Sequence, residues 1–258
     1  MGKVVAIVNQ KGGVGKTTTA VNLAASLAAI DKKILLIDFD PQSNATSGVN
    51  IDKDKVKNNI YKVMAGEISL EEAWLVCELP SLYTVPGNRD LAAAEVELVG
   101  EENREFVLKK VIEPYKDVFD FIFIDCPPSL SLLTINALTA SDGVLIPIQA
   151  EYYALEGVKD LMQTIELVRS NLNAGLGITG VLMTMYDERT NLSQQVLSDV
   201  QSYFGPKLYD TIVPRNVRLS EAPSFGKPAM LHDIRSKGAQ AYLKLAKEFL
   251  NGKEVGVR

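Results

Sequence analysis

Val4-Val5-Ala6-Ile7-Val8-Asn9-Gln10-Lys11-Gly12-Gly13-Val14-Gly15-Lys16-Thr17-Thr18-Thr19 is the stretch that decides the fold. Its first five residues are apolar and rich in β-branched side chains, a length that suits a buried strand and is too short to favour a helix. A glycine-rich turn follows. From Thr17 to Ile30, Ala20, Leu23, Ala24, Leu27 and Ala28 then recur at helical spacing. Strand, glycine loop, Lys, Thr, helix is the order of a phosphate-binding loop. Phosphates need several backbone N–H donors converging on them, and side chains obstruct that approach. Gly12, Gly13 and Gly15 therefore predict a loop with positive φ angles and close backbone contact, with Val14 and Thr18 in the same run. The helix starting near Lys16 adds its own N–H groups and the positive end of its dipole. In that frame Lys16 reaches the β- and γ-phosphates, and the Thr17 hydroxyl suits Mg²⁺.

Outward from the loop, strands and helices alternate. The run Lys33–Ile37 reads as a second strand and ends in Asp38-Phe39-Asp40-Pro41-Gln42, where open α/β sheets place their ligands. Asp40 could orient a water or reach Mg²⁺ through one; equally it could cap the turn before Pro41, and the residues alone do not choose. Residues 42–48 read as polar loop, Ile60–Met64 and Leu70–Val76 as short helices, and residues 81–87 as a strand stopped by Pro-Gly. One long helix is expected over residues 90–112. The apolar run Phe119–Ile124 ends in Asp125, a strand-terminal carboxylate suited to Mg²⁺, which keeps much of its water.

A helix over 131–140, a strand over 143–148, a helix over 155–172 and a strand over 177–185 continue the alternation. A helix over 194–204, a short strand at 211–213 and a last helix over 236–251 complete it. The fold class expected is α/β: a single-domain, parallel-sheet P-loop NTPase with helices on both faces, filling residues 1–258.

Composition narrows the function. The chain has 27 Lys/Arg and 32 Asp/Glu, a net charge of −5, which by itself argues against nucleic acid. The charge is uneven, however. Residues 206–258 carry 10 Lys/Arg and 5 Asp/Glu, which permits a basic face. Cys77 and Cys126 lie far apart at no metal spacing, as expected of reduced thiols. No apolar run is long enough to span a membrane.

The loop departs from the usual pattern: Gln10 stands where a glycine is expected, and Lys11 stands at the mouth. Lys11-Gly12-Gly13-Val14-Gly15-Lys16-Thr17 resembles the deviant Walker A motif of the ParA/MinD family of ATPases. The resemblance extends through residues 38–46, Asp125-Cys126-Pro127-Pro128-Ser129, residues 189–192 and residues 214–228. The last two look like the chromosomal ParA (Soj) branch.

It implies ATP and Mg²⁺ as cofactors, with Thr17, Asp40 and Asp125 at the metal. Lys11 touches the partner subunit's nucleotide across a homodimer, and Asp40 positions the attacking water. Pro214 and Asn216 line an adenine pocket, and Cys126 sits near the nucleotide without acting as a nucleophile. Arg189 and Arg218 lie on a face that binds double-stranded DNA without sequence preference, in a neighbourhood of Arg215, Lys227, Arg235 and Lys237.

Hydrolysis is stimulated in that family by ParB, a centromere-binding protein that presents a basic N-terminal segment. The function implied is chromosome or plasmid partitioning by a cytoplasmic, nucleoid-associated ATPase. A cargo-positioning ATPase or a MinD-like division regulator is the alternative. No helix-turn-helix region is expected before Val4. No amphipathic membrane anchor is expected after Leu250 either, so no membrane partner is foreseen.

Overall fold

A computed structural model describes residues 2–252; the tail at 253–258, part of the stretch expected to lack a membrane anchor, lies outside them. The first half runs β1 (Lys3–Ile7), α1 (Lys16–Ala28), β2 (Ile34–Asp38), α2 (Asn44–Gly48), α3 (Ile60–Met64), α4 (Leu70–Ala73), β3 (Leu75–Val76), β4 (Leu82–Val85), α5 (Leu91–Glu97) and α6 (Val107–Ile112). The second half runs β5 (Phe121–Asp125), α7 (Leu132–Ala140), β6 (Gly143–Gln149), α8 (Glu156–Asn171), β7 (Gly177–Thr184), α9 (Asn191–Phe204), α10 (Val217–Glu221), α11 (Ala229–Asp233) and α12 (Lys237–Asn251).

Among the described residues these strands form one sheet in the order β3-β4-β2-β5-β1-β6-β7. Every neighbouring pair is parallel except β3 with β4, which is antiparallel and corrects the expectation of a uniformly parallel sheet. The central strands read as unbroken apolar runs because both faces are covered: all five residues of β2 are buried. One face packs α1 and α12 through Leu23, Leu27, Leu245 and Phe249, with Leu219 of α10 and Ala229 of α11 beside them. The other face packs α3 to α9 through residues such as Val63, Leu91, Leu108, Leu133, Leu161 and Val196. No helix among the described residues is long and apolar enough to cross a membrane.

Several boundaries differ from the sequence reading. The single helix expected over 90–112 divides into α5 and α6, joined by 3-10 turns at Leu98–Gly100 and Arg104–Phe106. The chain turns at Asn103, whose φ of +56° ends any continuous helix. Asn136 of α7 then takes the freed backbone: its Oδ1 accepts from Leu108 N at 3.1 Å and its Nδ2 donates to Arg104 O at 2.8 Å. The helix expected to reach Val76 stops at Ala73, because Trp74 is extended and Leu75–Val76 pair with β4. Residues 42–48, read as loop, contain α2. Residues 211–213 form no strand; only isolated parallel bridges, Val181 with Leu208 and Tyr186 with Pro214, continue the edge beyond β7.

Candidate nucleotide site

The end of β1 feeds the loop directly. Asn9 is buried and donates from Nδ2 to Pro147 O at 2.8 Å, while its Oδ1 accepts from Lys11 N at 3.0 Å, so the first turn is fixed on both sides. Gly13 and Gly15 take φ of +76° and +91°, the left-handed region that other residues avoid. Gly12 does not share that conformation, which corrects the expectation at that position. A Cβ added at Gly12 or Gly13 would meet nothing within 4 Å, whereas one at Gly15 would touch Thr184 at 3.7 Å. Two sides of the loop therefore differ: one faces open space where an anion can approach, and the other is braced on β7. The brace includes Thr184 Oγ1 donating to Val14 O at 2.8 Å.

Lys16 opens α1 and is nearly buried, its Nζ donating to Lys11 O at 3.0 Å. Burial pulls its pKa below the ordinary lysine value, and the Asp125 charge opposes that shift. Asp125 stands at the end of β5, in register with Ile7 of β1 and with Asp38 of β2. Its side chain is fully buried and neither carboxyl oxygen has a hydrogen-bond partner. Burial first, and then the neighbouring Asp38 charge, push its pKa well above the usual carboxylate range. Buried polar atoms are nearly always satisfied, so two orphaned oxygens beside a lysine mark a place for a cation. The residues present fit a Mg²⁺ ion: hard oxygen donors from Asp125, with the Thr17 hydroxyl one residue past Lys16 on α1. Cys126 is buried next to it; burial pushes its thiol well up, away from the thiolate a nucleophile needs.

Asp40 is buried and its Oδ1 accepts from Gln42 N at 2.9 Å, so the turn-capping role is present. Asp38, to which the sequence reading gave no role, is the better-connected residue. Its Oδ2 accepts from Thr46 N at 2.7 Å and from Thr46 Oγ1 at 2.6 Å, and Thr46 Oγ1 in turn accepts from Gly87 N at 3.0 Å. Asp38 thereby ties α2 and the end of β4 to the end of β2. Its burial raises the pKa to about 6 despite those donors. The signal available in sequence was a second aspartate two residues before Asp40.

On the other side of Gly15 lies a cavity of about 560 Å³, lined by Thr18, Met185, Pro214, Asn216, Leu219 and Tyr242 among others. Pro214 and Asn216 are thus brought to the loop from a distant part of the chain. Asn216 Oδ1 is buried without a partner, which gives the cavity an unsatisfied acceptor. Met185, read in the sequence only as the end of a strand and not as a site residue, enters with a φ of +51°; only a positive-φ signature in a β-run, invisible in a methionine, would have exposed it.

Lys11 Nζ forms an ion pair with Glu151 of the same chain, both side chains being partly exposed. Arg189 and Arg218 are exposed, but each is engaged. Arg189 grips Asp187 from Nε at 2.8 Å and Nη2 at 2.6 Å, holding that carboxyl down to about 2. Arg218 pairs with Glu221 at 2.8 Å and Asp233 at 3.5 Å. The two segments meet through Arg215 N, which donates to Tyr186 O at 3.0 Å. Lys227 pairs with Glu78 at 3.5 Å.

The chain is similar to known proteins over nearly its whole length. Residues 2–178 match a family model described as an AAA domain. The sporulation initiation inhibitor protein Soj of Bacillus subtilis is 55% identical over 248 residues, covering 96% of this chain and 98% of that one. The chromosome partitioning protein ParA of Myxococcus xanthus is 52% identical, covering 97% of this chain and 88% of that one. Among solved structures, cobyrinic acid a,c-diamide synthase of Mycobacterium smegmatis, with a bound ATP analog and magnesium, superposes with a TM-score of 0.87 at 35% identity, covering 100% of this chain and 98% of that one.

Proposed function

The chain belongs to the ParA/MinD family of deviant Walker A ATPases, in its chromosomal ParA (Soj) branch, and from that premise we propose that it is an ATP- and Mg²⁺-dependent partition ATPase. The observation that supports this most strongly is the buried Asp125 carboxylate, without a hydrogen-bond partner, beside Lys16, at the foot of a loop whose Gly12 and Gly13 face open space. When bound, ATP supplies the phosphoryl group and Mg²⁺ neutralises its charge. The chain's own residues do the positioning. Backbone N–H groups of residues 12–18 and the start of α1 cradle the phosphates, and Lys16 leaves Lys11 O to meet them. Thr17 and Asp125 hold the metal, and Asp40 orients water toward the γ-phosphate. Asn216 and Pro214 seat the base. Such chemistry needs mainly alignment and charge neutralisation, so turnover is slow until a partner completes the site.

In this reading Lys11 gives up Glu151 and reaches the nucleotide of a second subunit, forming a homodimer around ATP. The dimer presents Arg189 and Arg218 to DNA phosphates without reading bases, and a ParB-type protein stimulates hydrolysis to release it. The protein is then a cytoplasmic one that resides on the nucleoid. The test is retention of non-specific duplex at low salt with ATP, ADP or no nucleotide, with Lys16→Ala alongside. Binding that requires ATP, disappears in Lys16→Ala and falls steeply with salt is the expected result. ATP binding without DNA retention would overturn the DNA part and leave the nucleotide part standing.

A further inference from the structure

Resting on the reading of Asp40 as the residue that orients water, we infer that Asp38 and Thr46 are positioning residues for ATP hydrolysis. Their hydrogen bonds clasp the neck of the loop that carries Asp40 and so fix where its carboxylate stands.

The chain leaves β2 at Asp38, runs out through Asp40, Pro41 and Ser43, turns into α2 and comes back to Asp38 at Thr46. Both neck residues are fully buried. Asp38 uses its two oxygens in different directions. Oδ2 closes the neck, accepting from Thr46 N at 2.7 Å and from Thr46 Oγ1 at 2.6 Å, while Oδ1 accepts from Asp40 N at 3.4 Å. Thr46 Oγ1 also accepts from Gly87 N at 3.0 Å, which pins the neck to the end of β4. One carboxylate thus joins the sheet, the returning chain and the backbone of Asp40. Asp40 shapes the loop as well: its O accepts from Ser43 N and its Oδ1 from Gln42 N, both at 2.9 Å. Ser43 sits at φ +54°, a conformation that a residue other than glycine keeps only where its surroundings impose it.

The clasped loop borders the phosphate loop. Asn44 and Ser47 of α2 share a cavity of about 440 Å³ with Thr17 and Thr18 of α1. Opening the neck lets α2 and Asp40 move relative to the phosphates, and a displacement of about 1 Å slows aligned chemistry by about 100-fold. Nucleotide affinity comes from the glycine loop and Lys16, which lie outside the clasped loop. Loosening the clasp therefore acts on turnover and spares affinity.

The test is single-turnover hydrolysis of radiolabelled ATP with Mg²⁺, beside titration with a fluorescent ATP analogue, in Thr46→Ala, Thr46→Ser, Asp40→Ala and the Thr46→Ala/Asp40→Ala pair. Thr46→Ala should lower the hydrolysis rate by about 10- to 100-fold with nucleotide affinity within about twofold of wild type. Thr46→Ser keeps the hydroxyl and should restore the rate. In the Asp40→Ala background Thr46→Ala should add nothing, because the group it positions is gone. Should Thr46→Ala fail to fold, Asp38→Asn takes its place: it keeps the shape, exchanges one acceptor for a donor, and should show the same pattern. Four results overturn the proposal: a wild-type rate in Thr46→Ala, a loss of affinity that matches the loss of rate, no recovery in Thr46→Ser, or effects of Thr46→Ala and Asp40→Ala that multiply. A wild-type rate in Asp40→Ala would instead remove the role read for Asp40, and the positioning role with it.

Discussion

The ends of β2 and β5 lie side by side, carry aspartates in the same register, and are treated in opposite ways. Asp38 is buried and saturated by Thr46, and through Thr46 by Gly87. Asp125 is equally buried and has nothing on either oxygen. Burial raises both, but Asp38 has two donors on Thr46 within 2.7 Å that offset it, and Asp125 is pushed further up. The contrast separates a carboxylate that organises the chain from one that waits on something outside it. Position at a strand end, which both share, does not make that distinction; the count of donors does.

The largest effect that can break this comparison is at Lys16. If it supplies the charge that completes the Asp125 end of the site, Lys16→Ala should lower ATP hydrolysis by about 10²–10³-fold, the scale of losing one preorganised donor. Hydrolysis at the wild-type rate would sever the lysine from that site. Asp125→Asn should lower Mg²⁺-dependent hydrolysis by about 10²-fold, read as phosphate release across a Mg²⁺ titration; a variant that still turns over normally would make Asp125 structural, like its neighbour.

The sharper test is alanine at each aspartate in metal-free protein, followed by urea unfolding at neutral pH. Asp38→Ala strands Thr46 N and should cost about 2 kcal/mol. Asp125→Ala removes a buried carboxyl with no hydrogen-bond partner and should cost nothing or raise stability. Equal losses would erase the distinction.

A pH series adds a smaller effect. An acid whose folded pKa is raised stabilises the fold below its ordinary value and loses that contribution as pH climbs. Metal-free stability should therefore fall between 3.8 and about 6 through Asp38, and that slope should flatten in Asp38→Ala. A slope unchanged in the variant would place the titration elsewhere.

The smallest expected effect lies away from both strands. Arg218→Ala should weaken ATP-dependent DNA retention about tenfold and make the salt dependence shallower by about one unit per contact, with ATP binding intact. Unaltered DNA affinity in a folded variant would leave Arg218 as the partner of Glu221 and Asp233 alone.

Much of this was legible in the order of residues. Gly13, Gly15, Lys16 and the strand-terminal aspartates are local signals: each follows from a short run whose chemistry needs no distant partner. The parts that were not legible depend on separation. Asp38 is defined by Gly87, reached through Thr46, and nothing in either segment announces the other. The break between α5 and α6 is settled by Asn136, whose amide meets Leu108 across a separation of 28 residues. Gly12 looks like its neighbours in sequence, yet only Gly13 and Gly15 need the left-handed angle. The arginines could be named, but that Asp187, Glu221 and Asp233 hold them is a matter of geometry alone.

The packing of α1 against α12 carries a consequence for how the protein is made. Thr19 and Tyr242 share a hydrogen bond of 3.1 Å, Ala229 N donates to Asn22 Oδ1 at 2.7 Å, and the inner face of α1 rests on Leu245 and Phe249. On a ribosome, α1 emerges early and its apolar face has no cover until α12 leaves the exit tunnel. The cavity beside Gly15 likewise lacks its Tyr242 wall until then. Nascent chains therefore hold the phosphate loop long before they can close the cavity beside it, and nucleotide capture reports that synthesis has passed through α12.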